Sequence, residues 1–289
     1  MPIKYYMSLA IAVVAISWAS ILILLSGAQS IAVAFWRTAI AAAVLSPLLI
    51  IERRNNTYAP TRGEALLIVV SGIALATHFM TWIESLYLTT VAASTTLVST
   101  YPIFTLAMGR LIGERAGRRS VIGVLAAFLG IVLITVPEFY INLRALTGDL
   151  LALAGAVSGA AYFMIGRVIR VRTSLAMYTV PVYSTAALIT LPIGLLLHVR
   201  LWPYPPYTWF YIIMIVLGPM LLGHTLLNYS LRYSRAITVT TSTLGEPIGA
   251  SLLALLLFHQ VPQLLTVVGI VATLFGIYMV ISEERTGAG

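Results

Sequence analysis

The sequence predicts an all-α membrane protein of ten transmembrane helices, arranged as two inverted five-helix repeats, with the N and C termini in the cytoplasm. Three observations predict it: an apolar composition, ten long apolar runs and a one-sided distribution of arginines. Of the 289 residues, 60% are hydrophobic and 9% are charged, whereas soluble domains average about 25% charged residues. We therefore expect a multi-pass protein of the cell inner (plasma) membrane.

Ten apolar runs follow each other along the chain, each close to the roughly 20 residues that a helix needs to cross a bilayer core. Unbroken runs favour helices over a β-barrel, whose strands would alternate apolar and polar residues. The first run is long for the apolar core of a signal peptide, so we interpret it as a first helix. The runs cover residues 5–25, 31–51, 66–88, 91–111, 120–136, 148–167, 175–197, 209–229, 236–258 and 262–282.

Positive charges alternate between the two sides of the predicted bundle, and cytoplasmic loops accumulate Lys and Arg. One side collects 14 of the 17 cations, the other has only Arg144 and Arg200, and Arg37 lies inside the second run. Both termini are therefore predicted to be cytoplasmic, which requires an even number of crossings. This topology explains the net charge of +8 without nucleic-acid binding. The cations of the first side are Lys4, Arg53, Arg54, Arg62, Arg110, Arg115, Arg118, Arg119, Arg167, Arg170, Arg172, Arg232, Arg235 and Arg285.

An internal repeat appears when the chain is compared with itself at a shift of 146 residues. Gly130 then aligns with Gly276, and His78 aligns with His224. Each half contains five apolar runs, an odd number, so the second half must enter the membrane from the opposite side. Inverted repeats are typical of secondary transporters, with a central site between the halves. The predicted repeats are residues 1–144 and 145–289.

Ionisable side chains inside a bilayer cost roughly 2.5 to 3.5 kcal/mol each, so each requires an explanation. The predicted helices contain Arg37, His78, Glu84, His224 and Glu246. We expect Glu84, near the outer end of its helix, to reach the interface. Burial disfavours a charged carboxylate, so Glu246 could exchange protons and couple them to transport. Alternatively, Glu246 pairs with Arg37 or a nearby His and has a structural role.

Polar stripes on equivalent helices predict a cavity shared by the two halves. His78 and Trp82 fall on one face of the third predicted helix, and His224 and Asn228 fall on one face of the eighth. An interhelical hydrogen bond is the alternative for either His. Aromatic residues inside other spans fit either core packing or stacking against an organic substrate. The predicted substrate-binding residues are Trp18, His78, Trp82, Tyr101, Tyr162, His224, Asn228 and Glu246.

Proline interrupts the predicted fourth and ninth helices, both of which are rich in hydroxyl side chains. Pro102 follows Ser99 and Thr100, and Pro247 follows the polar run 238–243. Proline removes a backbone donor and bends a helix, which leaves a carbonyl free for hydroxyl groups or a ligand. We expect hinges and substrate lining at these places, with close helix packing as an equal alternative.

Short motifs in a specific order run through nearly the whole chain. They are Trp18-Ala19-Ser20, Arg37, Tyr101-Pro102-Ile103-Phe104, Leu111-Ile112-Gly113-Glu114, Gly123 and Gly130, Gly148-Asp149-Leu150-Leu151-Ala152-Leu153, Ala160-Ala161-Tyr162, Glu246-Pro247, and Gly269 with Gly276. The sequence thereby resembles EamA-type members of the drug/metabolite transporter superfamily, which implies a ten-helix exporter of amino acids or other metabolites. One departure is Gln260, which stands where the first repeat has Glu114, so we interpret Glu114 as structural.

The sequence predicts a transporter rather than an enzyme, because it contains no catalytic motif, no clustered metal ligands and no cysteine. We expect no cofactor and no metal. The predicted function is export of small organic solutes, amino acids first, by alternating access. The alternatives are a multidrug or other metabolite facilitator, an intramembrane enzyme using His78 and His224, and a lipid-moving or structural protein. The expected partners are the substrate, the lipid bilayer and, if Glu246 titrates, protons, with the chain a monomer or weak dimer.

Overall fold

Helices form the part of the chain that the computed structural model describes, residues 3–55, 60–114, 116–135, 143–258 and 264–286, and these ranges contain no strand. The α-helices are α1 (Ile3–Ser17), α2 (Ala19–Ser26), α3 (Ser30–Asn55), α4 (Arg62–Leu88), α5 (Val91–Val98), α6 (Tyr101–Gly109), α7 (Arg118–Thr135), α8 (Leu143–Arg170), α9 (Leu175–Leu196), α10 (Pro206–Ile215), α11 (Leu226–Ser230), α12 (Ala236–Ser242), α13 (Gly245–Phe258) and α14 (Leu264–Thr286). A 3₁₀ turn (Arg110–Ile112) follows α6, and a π-helix (Val216–Thr225) joins α10 to α11.

Six segments within the described ranges are long and apolar enough to cross a membrane. They are α1 with α2, α3, α4, α8, α9, and the run from α10 through the π-helix to α11. A shorter apolar stretch, Val267–Glu283, lies in α14. The chain is therefore a helical multi-pass membrane protein, as its composition predicts. The count of ten crossings and the side on which each terminus lies stay predictions.

The predicted fourth and ninth helices are each broken near the middle. Two residues separate α5 from α6, two separate α12 from α13, and Pro102 or Pro247 lies in the first turn after the break. A proline provides no amide donor and its ring excludes a regular preceding turn. At the second break the amide of Thr243 donates to the carbonyl of Thr240, only three residues earlier, at 3.2 Å. Corresponding points of the two predicted repeats are therefore irregular.

The π-helix is the other irregular segment, and it contains Pro219 and His224. Within it the hydroxyl of Thr225 donates to the carbonyl of Met220, five residues earlier, at 3.2 Å. π-Helices are rare and frequently occur at functional sites. The wider turn sets the direction in which His224 leaves its helix.

Helix contacts come in pairs that match the predicted repeats. α4 packs along α8, and the π-helix, which corresponds to part of α4, packs along α1, which corresponds to part of α8. α3 packs along α9 and α7 along α14, so that each of these two pairs joins corresponding helices. Two repeats related by a two-fold axis produce this pattern. The boundary between residues 1–144 and 145–289 stays a prediction.

The crossing of α7 and α14 depends on glycine. A Cβ atom on Gly130 would lie 2.6 Å from the carbonyl oxygen of Gly269 and 2.5 Å from the hydroxyl of Thr273. Backbone atoms cannot yield to a methyl group in this position, so the two helices would have to separate. Small residues at a helix crossing allow the close backbone approach that stabilises helix pairs in membranes.

Candidate functional site

A small enclosed space, here called the central cavity, lies where helices of both predicted repeats meet. The space open to the centre of a water molecule is about 10 Å³, roughly what one water needs. No organic solute fits in this state, so a solute that binds here must first widen the cavity. The lining residues are Ile16, Ala19, Arg37, His78, Trp82, Tyr101, Phe163, Pro219, His224, Leu227, Thr243 and Glu246.

Five of the eight predicted substrate-binding residues line the central cavity. They are His78, Trp82, Tyr101, His224 and Glu246. α4, the start of α6, the π-helix and the first turn of α13 carry them. The structure thus brings together residues that are far apart in sequence, and their role in binding a substrate stays a prediction.

The other three predicted residues lie elsewhere. Tyr162 and Asn228 lie behind the cavity wall, where the Asn228 amide donates to the Tyr162 hydroxyl and, at 2.7 Å, to the carbonyl of His224. This pair supports the π-helix from behind. Trp18 lines a separate apolar groove between α1 and α2 on one side and α10 and the π-helix on the other. The structure therefore does not bring Trp18 to the cavity.

The two imidazoles lie side by side, with ring centroids 6.0 Å apart. Nδ1 of His78 donates to the carbonyl of Gly155 on α8 at 2.8 Å, the interhelical hydrogen bond considered above as the structural alternative. His78 also stacks on Trp82 at 6.0 Å, and His224 stacks on Phe163 at 6.3 Å. His78 therefore fits both interpretations: it forms an interhelical hydrogen bond, and its ring also lines the cavity as part of an aromatic wall.

Arg37 is a charged cavity residue that sequence reasoning left out of the site. Its side chain is 0% exposed, and its Cζ atom lies 3.8 Å from the centre of the Phe79 ring, a cation–π contact. None of its three guanidinium nitrogens has a hydrogen-bond partner among the described residues. The available signal was its position, because Arg37 falls well inside a predicted helix, whereas Arg110 and Arg167 fall at helix ends.

Phe163 was also missed, and its neighbour Tyr162 was predicted instead. Successive residues of an α-helix point about 100° apart, so an error of one position turns a side chain away from the cavity. Periodicity alone could not decide between two adjacent aromatic residues without knowing which face of α8 packs against α4.

Glu246 is an acidic residue buried at the central cavity. Its side chain is 4% exposed and its Oε1 atom has no hydrogen-bond partner among the described residues. The ion pairs found in the described ranges do not include one between Glu246 and Arg37. Nε1 of Trp82 and Nδ1 of His224 also lack partners there. Buried polar atoms are almost always bonded, so several exceptions around one cavity indicate a place for water or a ligand.

The arginine-rich face of the molecule is closed by carboxylates that do have partners. Glu114 accepts from Nε of Arg167 at 2.6 Å and from the amide of Ala236 at 3.1 Å. Glu283 accepts from the amide of Ser120 at 2.9 Å and from its hydroxyl at 2.7 Å. Each carboxylate connects residues of one predicted repeat to the other. The structural role interpreted for Glu114 agrees with these contacts.

The opposite face is more open. Two depressions of about 580 and 710 Å³ lie there, the first beside Glu84 and Tyr87 and the second beside Arg200 and Tyr204. Glu84 accepts a hydrogen bond from the Ser30 hydroxyl at 2.5 Å. In the described part of the chain, bonded carboxylates thus join the two halves at the arginine-rich face, the central cavity is closed, and two depressions make the other face, here called the hollow face, more open.

Apolar helices enclosing a closed polar cavity define a class, the multi-pass membrane carriers whose site lies between two halves. The model of the EamA-like transporter family matches residues 4–136 and 146–282. The chain belongs to this family, which is part of the drug/metabolite transporter superfamily, and the resemblance found in the sequence is confirmed. Proteins of this family are transporters of small solutes.

Solved structures show the same fold. A crystal structure, described only as that of a protein, superposes with a TM-score of 0.78 and is similar over 99% of both chains at 17% sequence identity. That identity supports the fold alone. No curated protein matches the chain in sequence.

Proposed function

We propose that the protein is a secondary transporter that exports small organic solutes, amino acids with aromatic or hydrophobic side chains first, by alternating access. The observation that carries the proposal is the central cavity, where buried polar atoms without partners lie among aromatic rings. Polar atoms that orient a ligand within a largely apolar wall are characteristic of small-molecule sites. The aromatic rings would contact the side chain of the solute.

The cycle follows from the closed cavity. Ligand sites usually measure about 300 to 1,000 Å³, so the cavity must widen greatly before a solute enters. The breaks between α5 and α6 and between α12 and α13 adjoin the cavity through Tyr101 and Thr243, and they supply hinges. Opening at the arginine-rich face would admit the solute, and opening at the hollow face would release it.

The proposed topology has ten crossings in two inverted repeats, residues 1–144 and 145–289, with both termini in the cytoplasm of the inner membrane. The paired helix contacts support the repeats, and the 14 cations on one side against two on the other support the orientation. The cysteine-free chain offers a direct test. Cysteines replacing Arg54 and Arg200 should label from opposite sides of the membrane. Labelling of both by an impermeant reagent from the same side would overturn the topology.

Transport by purified protein in liposomes tests the function. Vesicles loaded with a panel of amino acids should exchange them with labelled amino acid outside, and the solute should emerge chemically unchanged. Trp82→Ala, which removes the ring stacked on His78, should reduce exchange on the order of tenfold. Trp202→Ala, at an exposed outer position, is the matched control and should keep the wild-type rate.

The same vesicles distinguish the competing functions. Exchange of unrelated lipophilic cations in place of amino acids would favour a multidrug facilitator. A modified product would favour an intramembrane enzyme, and movement of lipids without any soluble solute would favour a lipid carrier. Each of these results would contradict the proposed substrate class.

A further inference from the structure

An arginine and a glutamate lie buried in one cavity without forming an ion pair with each other, and transport in general does not require this. We propose that Arg37 and Glu246 form a binding site for a zwitterion, in which the guanidinium of Arg37 receives the carboxylate of the solute and Glu246 receives its ammonium group. This inference rests on the proposed function and identifies which part of the solute each charge contacts.

The Arg37 half of the site needs an anion. A guanidinium keeps its charge in proteins, and it has five donors in a planar fork that matches a carboxylate. The Phe79 ring lies against the guanidinium of Arg37, but a phenyl ring has no oxygen atom that could accept hydrogen bonds from these donors. A buried charge without a partner is strongly unfavourable. The Arg37 side chain is therefore arranged to bind an anion.

A second buried arginine shows what a structural role looks like in the same molecule. Arg170 is 1% exposed, but its Nε donates to the carbonyl of Asn228 at 3.0 Å and its Nη1 donates to that of Thr173 at 2.5 Å. Arg170 does not line the central cavity. Burial alone thus does not leave an arginine unbonded in this fold, and the difference at Arg37 is local to the cavity.

The Glu246 half of the site needs a cation. Glu246 lies in the first turn of α13, directly after the break, and its own amide donates to the carbonyl of Thr243 at 2.9 Å. Its Oε1 atom is buried and unbonded among the described residues. Glu246 forms no ion pair with Arg37. A solute with both charges would complete the two contacts at once.

The aromatic wall specifies the rest of the solute. His78 stacked on Trp82 and His224 stacked on Phe163 present flat faces beside the two charges, and Tyr101 adds a third ring. Aromatic rings pack well against flat or branched apolar groups. An amino acid with an aromatic side chain therefore matches the cavity, whereas a cationic drug would leave Arg37 without an acceptor and a simple anion would leave Glu246 unbonded.

Three probes that share one phenyl group separate the two charge contacts. L-Phenylalanine has both charges, L-phenylalaninamide lacks the carboxylate, and 3-phenylpropanoate lacks the ammonium group. Wild-type protein in liposomes should exchange L-phenylalanine at least about 30-fold faster than either analogue, the lower end of the effect expected when one partner of a buried charge pair is removed.

Substitutions then assign each contact. Arg37→Gln should lower L-phenylalanine exchange to the rate of the amide and leave the amide unchanged, and Arg37→Lys should retain part of the preference. Glu246→Gln should lower L-phenylalanine exchange to the rate of 3-phenylpropanoate. Arg170→Gln is the matched control: it should lower the melting temperature but keep the order of the three probes.

Different results would contradict the zwitterion site and the proposed substrate class. If the wild type exchanges L-phenylalanine no faster than its analogues, the zwitterion site is wrong while transport stands. The same conclusion follows if Arg37→Gln keeps the wild-type ratio between L-phenylalanine and the amide. If the wild type exchanges none of the three, the proposed substrate class fails and this inference fails with it. The wild-type ratios decide the matter even if Arg37→Gln does not fold.

Discussion

Glu283 at the arginine-rich face and Glu246 in the central cavity are almost equally buried, at 3% and 4% exposure, but their surroundings differ. Glu283 accepts hydrogen bonds from Ser120 and from the amide of Gly117, and it pairs with Arg235. Oε1 of Glu246 accepts none from the described residues. A carboxylate with several partners fixes two segments together, whereas one without partners is available to a mobile ligand. The same residue type thus joins two segments at one place and lies unbonded beside a cavity at another.

The largest effect is expected from Glu283→Ala, which removes the bonded member of this comparison. The amides of Gly117 and Ser120 and the Ser120 hydroxyl would lose their acceptor, and each unsatisfied buried donor costs roughly 1 to 3 kcal/mol. We expect the free energy of unfolding to fall by about 3 kcal/mol, measured by denaturation in detergent. If Glu283→Ala lowered the free energy of unfolding by less than Glu246→Gln does, hydrogen bonding would not explain the difference between the two carboxylates.

An intermediate effect is expected from Glu114→Gln, which removes the charge that pairs with Arg167 but keeps the size and shape of the side chain. The loss of one charge-assisted hydrogen bond should raise the fraction of molecules open at the arginine-rich face on the order of tenfold. A cysteine replacing Thr243, a buried cavity residue, reports this opening.

That cysteine should react faster with an impermeant reagent from the arginine-rich side in the Glu114→Gln background than in the otherwise wild-type chain. Gln29→Ala, which removes an acceptor of the Arg200 amide at the hollow face, is the control and should not accelerate the reaction from that side. Equal rates in the two backgrounds would mean that Glu114 does not hold this face closed.

The smallest effect on stability is expected from Glu246→Gln, since no hydrogen bond of Oε1 is lost. The free energy of unfolding should change by less than about 1 kcal/mol, the size of a typical single interaction. The variant cannot titrate, so it also tests proton coupling. If its remaining exchange of L-phenylalanine changes with an imposed pH gradient by the same factor as in the wild type, Glu246 is not the coupling site. If neither protein responds, the transporter is a facilitator.

Sequence periodicity predicted much of the architecture because apolar runs and helix faces depend on local spacing. The alignment of His78 with His224 correctly indicated that the two rings come close, at 6.0 Å. Their meeting agrees with the predicted inverted repeat, because a two-fold axis would bring equivalent positions near each other if they lie close to the axis.

Features that depend on packing were not predictable in this way. The π-helix requires a hydrogen-bonding pattern that composition does not encode, and the composition of α8 does not say whether Tyr162 or Phe163 faces the cavity. Trp18, like the aromatic residues of the cavity, falls inside a predicted span, but its side chain lines the separate apolar groove. Arg37 was recognisable as unusual, but its unpaired state depends on the absence of nearby acceptors, which only the three-dimensional arrangement reveals.

The size of the central cavity also has an electrical consequence. With space for about one water molecule, the cavity cannot hold a continuous file of water through a hydrocarbon layer about 30 Å thick. Protons and small ions therefore have no continuous path of water through the cavity while it is closed. Each elementary charge that crosses the membrane gains or loses about 2.3 kcal/mol per 100 mV of membrane potential. Ion leakage through the closed carrier would therefore dissipate the membrane potential. The tight aromatic packing around Arg37 thus insulates the membrane between transport events.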